Sequence, residues 1–207
     1  MNALTEEEVR SGYRLLFDGK TLQGWAATKH PEGWIVQEGH LVCKGESNGY
    51  LHTLDTFENF ILLVEYRTAP KANSGIFFRW SDLKDPVNTG LEMQILDTYH
   101  EEKMNKQSSG ALYDLVAPSS NAVKPAGEWN QAIITCDRNR IQLQLNGAVV
   151  VETDIDQWAV AGKNPDGSGN KFKYAWRDRP RSGHIGLQDH GGYAEFRNIK
   201  LLQLSHE

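Results

Sequence analysis

The 207-residue sequence predicts an all-β sandwich of two antiparallel sheets, on three observations. Apolar residues alternate with polar ones at a period of two along most of the chain. Helical periodicity is nearly absent. The alternating runs are separated by glycine-, asparagine- and aspartate-bearing turns at the short spacings of a sandwich or barrel. In chain order the runs are YRLLF from Tyr13, GWIVQ from Gly33, HLVCK from His40, FILLVEYR from Phe60, SGIFFRW from Ser74 and LEMQILD from Leu91. They continue with WNQAIITCD from Trp129, RIQLQL from Arg140, AVVVET from Ala148, GHIGLQ from Gly183 and AEFRNIKLLQL from Ala194. Glu38-Gly39 and Asn146-Gly147 are hairpin signals, because tight primed turns need positive φ. Thr5 followed by Glu8 reads as a capping box for a short N-terminal helix, or as part of a polar tail, so residues 1–12 stand apart from a single sandwich over 13–207.

The length suits one sizeable core. Hydrophobic residues at 39% and charged residues at 24% are ordinary for a globular chain. The net charge of -5, with no basic run, gives no reason to approach nucleic acid or anionic lipid, so a neutral partner is favoured. No apolar stretch is long enough to span a membrane. The start lacks the layout of a secretory signal, which implies either an intracellular protein or one whose leader was removed; the compartment and the oligomeric state stay open. Cys43 and Cys136 lie in separate runs without a CxxC, and buried thiols are expected. Two irregular stretches, residues 100–109 and 154–181, are long enough to border a site.

The segment richest in chemistry is LEMQILD. On a regular strand Glu92 and Gln94 share one face, opposite Met93 and Ile95, and a bulge would bring Asp97 to the same polar row. A solvent-facing polar strand is the plainer reading of that pattern. The five-residue separation puts the two backbones roughly 13 to 17 Å apart, whereas glycosidase carboxyl pairs need about 5 to 9.5 Å. Neighbouring strands must therefore contribute. Arg79, in an apolar run, needs a buried partner, and Glu92 or Asp97 is the obvious one.

Asn73 opens the same run. Tyr113, Asp114 and Trp129 offer rings and polar groups of the kind that hold a sugar, although a tryptophan at a strand start is more often core. Gln188, Asp189 and His190 precede a glycine pair, and His190 could serve as an acid or base near neutral pH, or simply be a surface residue. No nucleophile elbow, phosphate loop or HExxH occurs, so no cofactor is expected. A divalent metal on His184, His190 and Asp189 is a minor alternative.

Taken in order, LLFDGKTLQGW from Leu15, GWIVQEGHLV, FILLVEYR, NSGIFFR, LEMQILD, SGALYD, KPAGEWN, LNG, GHIGLQDHGG and FRNIKLLQL resemble the 3-keto-disaccharide hydrolase domain family over nearly the whole chain after about residue 12. The resemblance implies a concanavalin A-like jelly roll with a groove on one sheet, and action on glycosides whose sugar carries a ketone at carbon 3. Laminarinase-type glucanases of that architecture use an ExDxxE strand; Glu92, Gln94 and Asp97 stand here, so the middle acid is an amide and double displacement is in doubt.

A ketone at carbon 3 acidifies the carbon 2 hydrogen, so elimination of the carbon 1 substituent followed by hydration fits the substrate better. On that route Glu92 or Asp97 would be the base, Arg79 would stabilise the oxyanion and His190 would be the acid. Gln94, Asn73 and Tyr113 would orient hydroxyls, with Asp114, Trp129 and Gln188 beside the sugar. A non-catalytic carbohydrate-binding module is the rival reading, since the same fold holds sugars without cutting them.

Overall fold

The structure is a computed structural model and describes residues 2–205. It contains a short helix α1 (Glu6–Ser11), a one-turn helix α2 (Pro86–Thr89) and thirteen strands. These are β1 (Arg14–Leu15), β2 (Trp25–Ala27), β3 (Trp34–Gln37), β4 (His40–Cys43), β5 (Tyr50–Thr53), β6 (Phe60–Thr68) and β7 (Asn73–Trp80). The remainder are β8 (Leu91–Leu96), β9 (Asn130–Asp137), β10 (Arg140–Leu145), β11 (Ala148–Asp154), β12 (His184–Gln188) and β13 (Ala194–Gln203).

The strands form two antiparallel sheets, a jelly-roll sandwich. The larger runs β11-β10-β9-β6-β13-β4-β3, with β1 added to β13; the smaller runs β2-β5-β12-β7-β8. Strict alternation makes this possible. In β6, Phe60, Leu62, Val64 and Tyr66 are buried and the residues between them are not. Across the core they meet Leu91, Met93 and Ile95 of β8, Ile185 and Leu187 of β12, and Ile76 and Phe78 of β7, all in one apolar cluster. Burying each such side chain is worth about 1.5–3 kcal/mol, which locks the register that decides what the opposite face displays.

The turn chemistry read from sequence is realised. Glu38-Gly39 and Asn146-Gly147 have φ of 52° and 79°, and 50° and 86°, and close β3–β4 and β10–β11. Thr5 caps α1 with the full reciprocal box to Glu8, and Glu8 also receives the buried Lys200 ammonium at 2.8 Å, tying the helix to β13. Cys43 and Cys136 are free buried thiols. Burial pushes both up to about 12. Among the described residues no helix is long and apolar enough to cross a membrane.

Candidate active site

The outer face of the five-stranded sheet is hollow because of its register. Leu91, Met93 and Ile95 of β8 enter the core, so Glu92, Gln94 and Leu96 face outward. They lie opposite Phe77, Gly75 and Asn73 of β7. On the other side of β7, Gly186 of β12 stands opposite His52 of β5, and Gln188 opposite Tyr50. Two glycines deepen the floor. A Cβ on Gly75 would collide with the Glu92 carboxyl, which lies over that position, and one on Gly186 would press on the Trp80 indole. Tyr50 closes this part of the floor, its ring 5.0 Å from Phe77 and 5.1 Å from Trp80, edge-on or tilted.

Loops raise the walls around a cavity of about 440 Å³, within the ordinary range for small-molecule sites. Gln107 comes from the 100–109 stretch and Lys171 from the 154–181 stretch, with Val87, Asn48 and His190 completing the rim. Gln94 donates from Nε2 to Asn73 Oδ1 at 3.0 Å, which orients both amides and leaves Gln94 Oε1 and Asn73 Nδ2 facing the cavity without another hydrogen-bond partner among the described residues.

Glu92 is the unusual group. Among the described residues its carboxyl receives no hydrogen bond, and burial pushes it up to about 8, opposed only by the charge of Lys171. The same burial raises the phenols of Tyr50 and Tyr113, with the Glu92 charge acting in the same direction on both. Lys171 lies with its ammonium 3.9 Å from the centre of the Tyr113 ring. Desolvation lowers that ammonium, while Glu92 and Asp114 hold it up.

Glu92, Gln94, Asn73, Tyr113, Gln188 and His190 therefore line one cavity. Other sequence expectations are corrected. Arg79 is turned away, 2% exposed, donating from Nε to the Glu58 carbonyl at 3.0 Å and from Nη2 to Asn59 Oδ1 at 3.3 Å. The cause is its left-handed backbone, φ 51°, at a register shift between β7 and β12, which reverses alternation and puts Trp80 on the groove face opposite His184. The bulge that would have brought Asp97 into the polar row is absent from β8. Leu96 takes the third outward position, and Asp97 instead accepts the Lys71 N–H at 2.9 Å.

Trp129 lies on the far side of the molecule, on the outer face of the larger sheet, with Arg197 at 3.8 Å and Arg67 at 5.0 Å from its ring centre. Asp114 does not line the cavity; it accepts the Lys171 N–H at 2.8 Å and so positions that residue. Asp189 is buried and accepts the backbone N–H groups of Ser47 at 2.6 Å, Asn48 at 3.3 Å and Gly191 at 2.9 Å, and His184 Nδ1 is 2.7 Å from the Thr53 carbonyl. Among the described residues no three His, Cys, Asp or Glu side chains converge as ligands, so His184, His190 and Asp189 do not form the metal set of the minor alternative.

Tyr50 and Lys171 are among the cavity residues that escaped the sequence reading, together with Asn48, Val87, Leu96 and Gln107. Tyr50 sits on β5, a strand of four residues too short to show alternation, and Lys171 sits in a loop suspect only for its length.

Residues 12–202 match the model of the 3-keto-alpha-glucoside-1,2-lyase-like domain. The chain belongs to that family. Within and around this lyase-like family, the chain is 28% identical to the 3-keto-disaccharide hydrolase of Bacteroides thetaiotaomicron over 92% of its own length and 78% of the relative's. A solved candidate glycosyl hydrolase of Parabacteroides distasonis is 33% identical, with a TM-score of 0.84 over 93% of this chain and 99% of that one. The carbohydrate-binding module CBM66 of Bacillus subtilis shares the fold of the lyase-like chain alone, at 12% identity and a TM-score of 0.56 over 86% and 94%.

Proposed function

We propose that this chain is an enzyme that cleaves 3-keto-glycosides between carbon 1 and its substituent, by elimination and then hydration. One observation carries the reading: an unpartnered carboxyl, Glu92, on the floor of a sugar-sized groove, with its proton affinity raised to about 8. A carboxylate with pKa near the working pH is a better carbon base than an ordinary one, because it takes a proton more avidly and yet is partly ionised.

The steps balance as follows. Glu92 removes the carbon 2 proton; the electron pair forms the enolate with the carbon 3 oxygen, then returns to expel the carbon 1 oxygen, which takes a proton from His190. The product is a 2-hydroxy-3-keto glycal and a free alcohol or sugar. Water then adds to carbon 1, giving its proton to His190, while Glu92 returns its proton to carbon 2, for a net hydrolysis. Gln94 Oε1 and Asn73 Nδ2 meet ring hydroxyls. Double displacement would need a second free carboxyl about 5 to 5.5 Å away, and the other carboxylate of the cavity, Asp189, is already spent on three backbone N–H groups.

Incubating the protein with a 3-keto-glucoside in D₂O tests this directly. Wild type should release the aglycone and place deuterium on carbon 2, and Glu92→Gln should lose both by about 10³-fold or more. Full turnover by Glu92→Gln refutes the base. Tight binding by wild type with neither release nor exchange makes the chain a binding module instead.

A further inference from the structure

With Arg79 turned away, the negative charge that develops on the carbon 3 oxygen needs another partner. We propose that Lys171 is that partner, and that it thereby fixes which way round the substrate lies in the groove. The inference rests on the elimination reading above. Three features of the molecule support it.

The segment carrying Lys171 is pinned by its neighbours. Asp114 accepts the Lys171 N–H at 2.8 Å, and Asn88, itself buried in α2, accepts the Lys173 N–H at 3.0 Å. Between them Phe172 is buried, edge-on to Trp176 at 5.1 Å. An otherwise irregular stretch is thus held in one place where the ammonium reaches the groove wall. Asp114 does this from the left-handed region, φ 59°, which aspartate tolerates better than most residues.

The ammonium is held against an aromatic face, not by an ion pair. It lies 3.9 Å from the centre of the Tyr113 ring, and among the described residues it donates no hydrogen bond to a carboxylate. Its three N–H donors are therefore free for a ligand, in contrast to Lys200, which is consumed by Glu8. Lys171 also stands close enough to Glu92 for each charge to act on the other's titration. Base and cation can then flank adjacent carbons of one ring. A preorganised cation aimed at a developing oxyanion costs no reorganisation at the moment of reaction and is among the largest catalytic effects.

The groove is polarised as a result. Glu92, opposite Phe77, stands at one end with Lys171, Tyr113 and Val87, while four residues along β8, about 13 Å away at ~3.3 Å per residue, Leu96 lies opposite Asn73. His190 belongs to that second end, because the turn that follows it packs Gly192 against Ala72 and the Asn73 N–H. The oxidised ring therefore sits in the Glu92–Lys171 end, and the departing group extends over the amides of Gln94 and Asn73 toward His190.

The test uses Lys171→Met, Lys171→Arg and His190→Ala with two 3-keto-glucosides, one with a p-nitrophenol leaving group and one with a sugar. Lys171→Met should slow carbon 2 deuterium exchange and cleavage together by about 10²–10³-fold for both substrates, with Lys171→Arg recovering part of the loss. His190→Ala should slow only the sugar substrate, since p-nitrophenolate leaves without a proton.

If wild type is active and Lys171→Met keeps exchange within about threefold, Lys171 is not the oxyanion partner although the elimination stands. A borohydride-trapped adduct on Lys171 would also overturn the ionic role, in favour of an imine. If wild type shows no exchange and no cleavage, the elimination reading itself fails.

Discussion

Glu92 owes its chemistry to an absence two residues off its cross-strand partner. Phe77 is its direct partner, yet its carboxyl lies over Gly75, the only kind of residue that leaves room there. Gly75→Ala should therefore act as a disguised active-site mutation. The new methyl meets the far end of a flexible side chain, so the sheet accommodates it by pushing the carboxyl into water. Folding should change little, with a loss of ~1 kcal/mol or less by chemical denaturation, while carbon 2 exchange falls by at least about tenfold because even a 1 Å misplacement is costly. The displaced carboxyl also regains solvent, so its proton affinity drops toward the ordinary carboxylate range. Unchanged exchange in the alanine variant would mean that the position over Gly75 is not the working one.

At the level of elements, the rim depends on one buried carboxylate. Asp189, at the end of β12, gathers the N–H groups of Ser47 and Asn48 from the turn before β5 and of Gly191 from its own turn. Asp189→Ala strands three donors, and with charge-assisted bonds worth about 1.5–3 kcal/mol each and partial rescue by water, a net cost of ~3 kcal/mol in urea unfolding is expected. Asp189→Asn should recover part of it, since the amide oxygen still accepts.

The same elements show what a sequence displays and what it hides. The strands β6, β8, β9, β10 and β13 were legible because each is long enough to show its period of two, and both glycine hairpins because positive φ has a residue signature. Glu92 and Gln94 could be placed on one outward face for that reason. Arg79 could not be placed correctly: a bulge at a non-glycine left-handed residue leaves no mark in composition, and one such residue flips the whole face. Tyr50 was hidden by the brevity of β5, and Lys171 by lying in a loop, whose position is set by tertiary bonds from Asp114 and Asn88.

For the molecule as a whole, function and stability draw on the same proton in opposite senses. The Glu92 carboxyl binds its proton more tightly folded, at about 8, than it would in the unfolded chain, where carboxyls titrate near ~4.3. Between those two values the native state carries more protons than the unfolded state, so this group makes stability fall as pH rises through the window, and its cost is fully present only above about 8. Glu92→Gln removes the titrating group but keeps its shape. The variant should match wild type near pH 4 and exceed it near pH 8; a gain of ~2 kcal/mol would raise Tm by roughly 4–8 °C in a chain of this size. Activity runs the other way. As a base Glu92 works only when ionised, so kcat/KM for the p-nitrophenyl 3-keto-glucoside, whose leaving group needs no proton from His190, should climb about tenfold per pH unit up to the region of 8 and fall again once Lys171 loses its proton. Thermal melts and initial rates across pH 5 to ~10 read both slopes on one protein. A stability gain of Glu92→Gln that does not grow with rising pH would show that burial does not raise the carboxyl, and a rate with the p-nitrophenyl substrate that declines through pH ~7 to ~8 would show that the carboxyl donates a proton at this site instead of taking one.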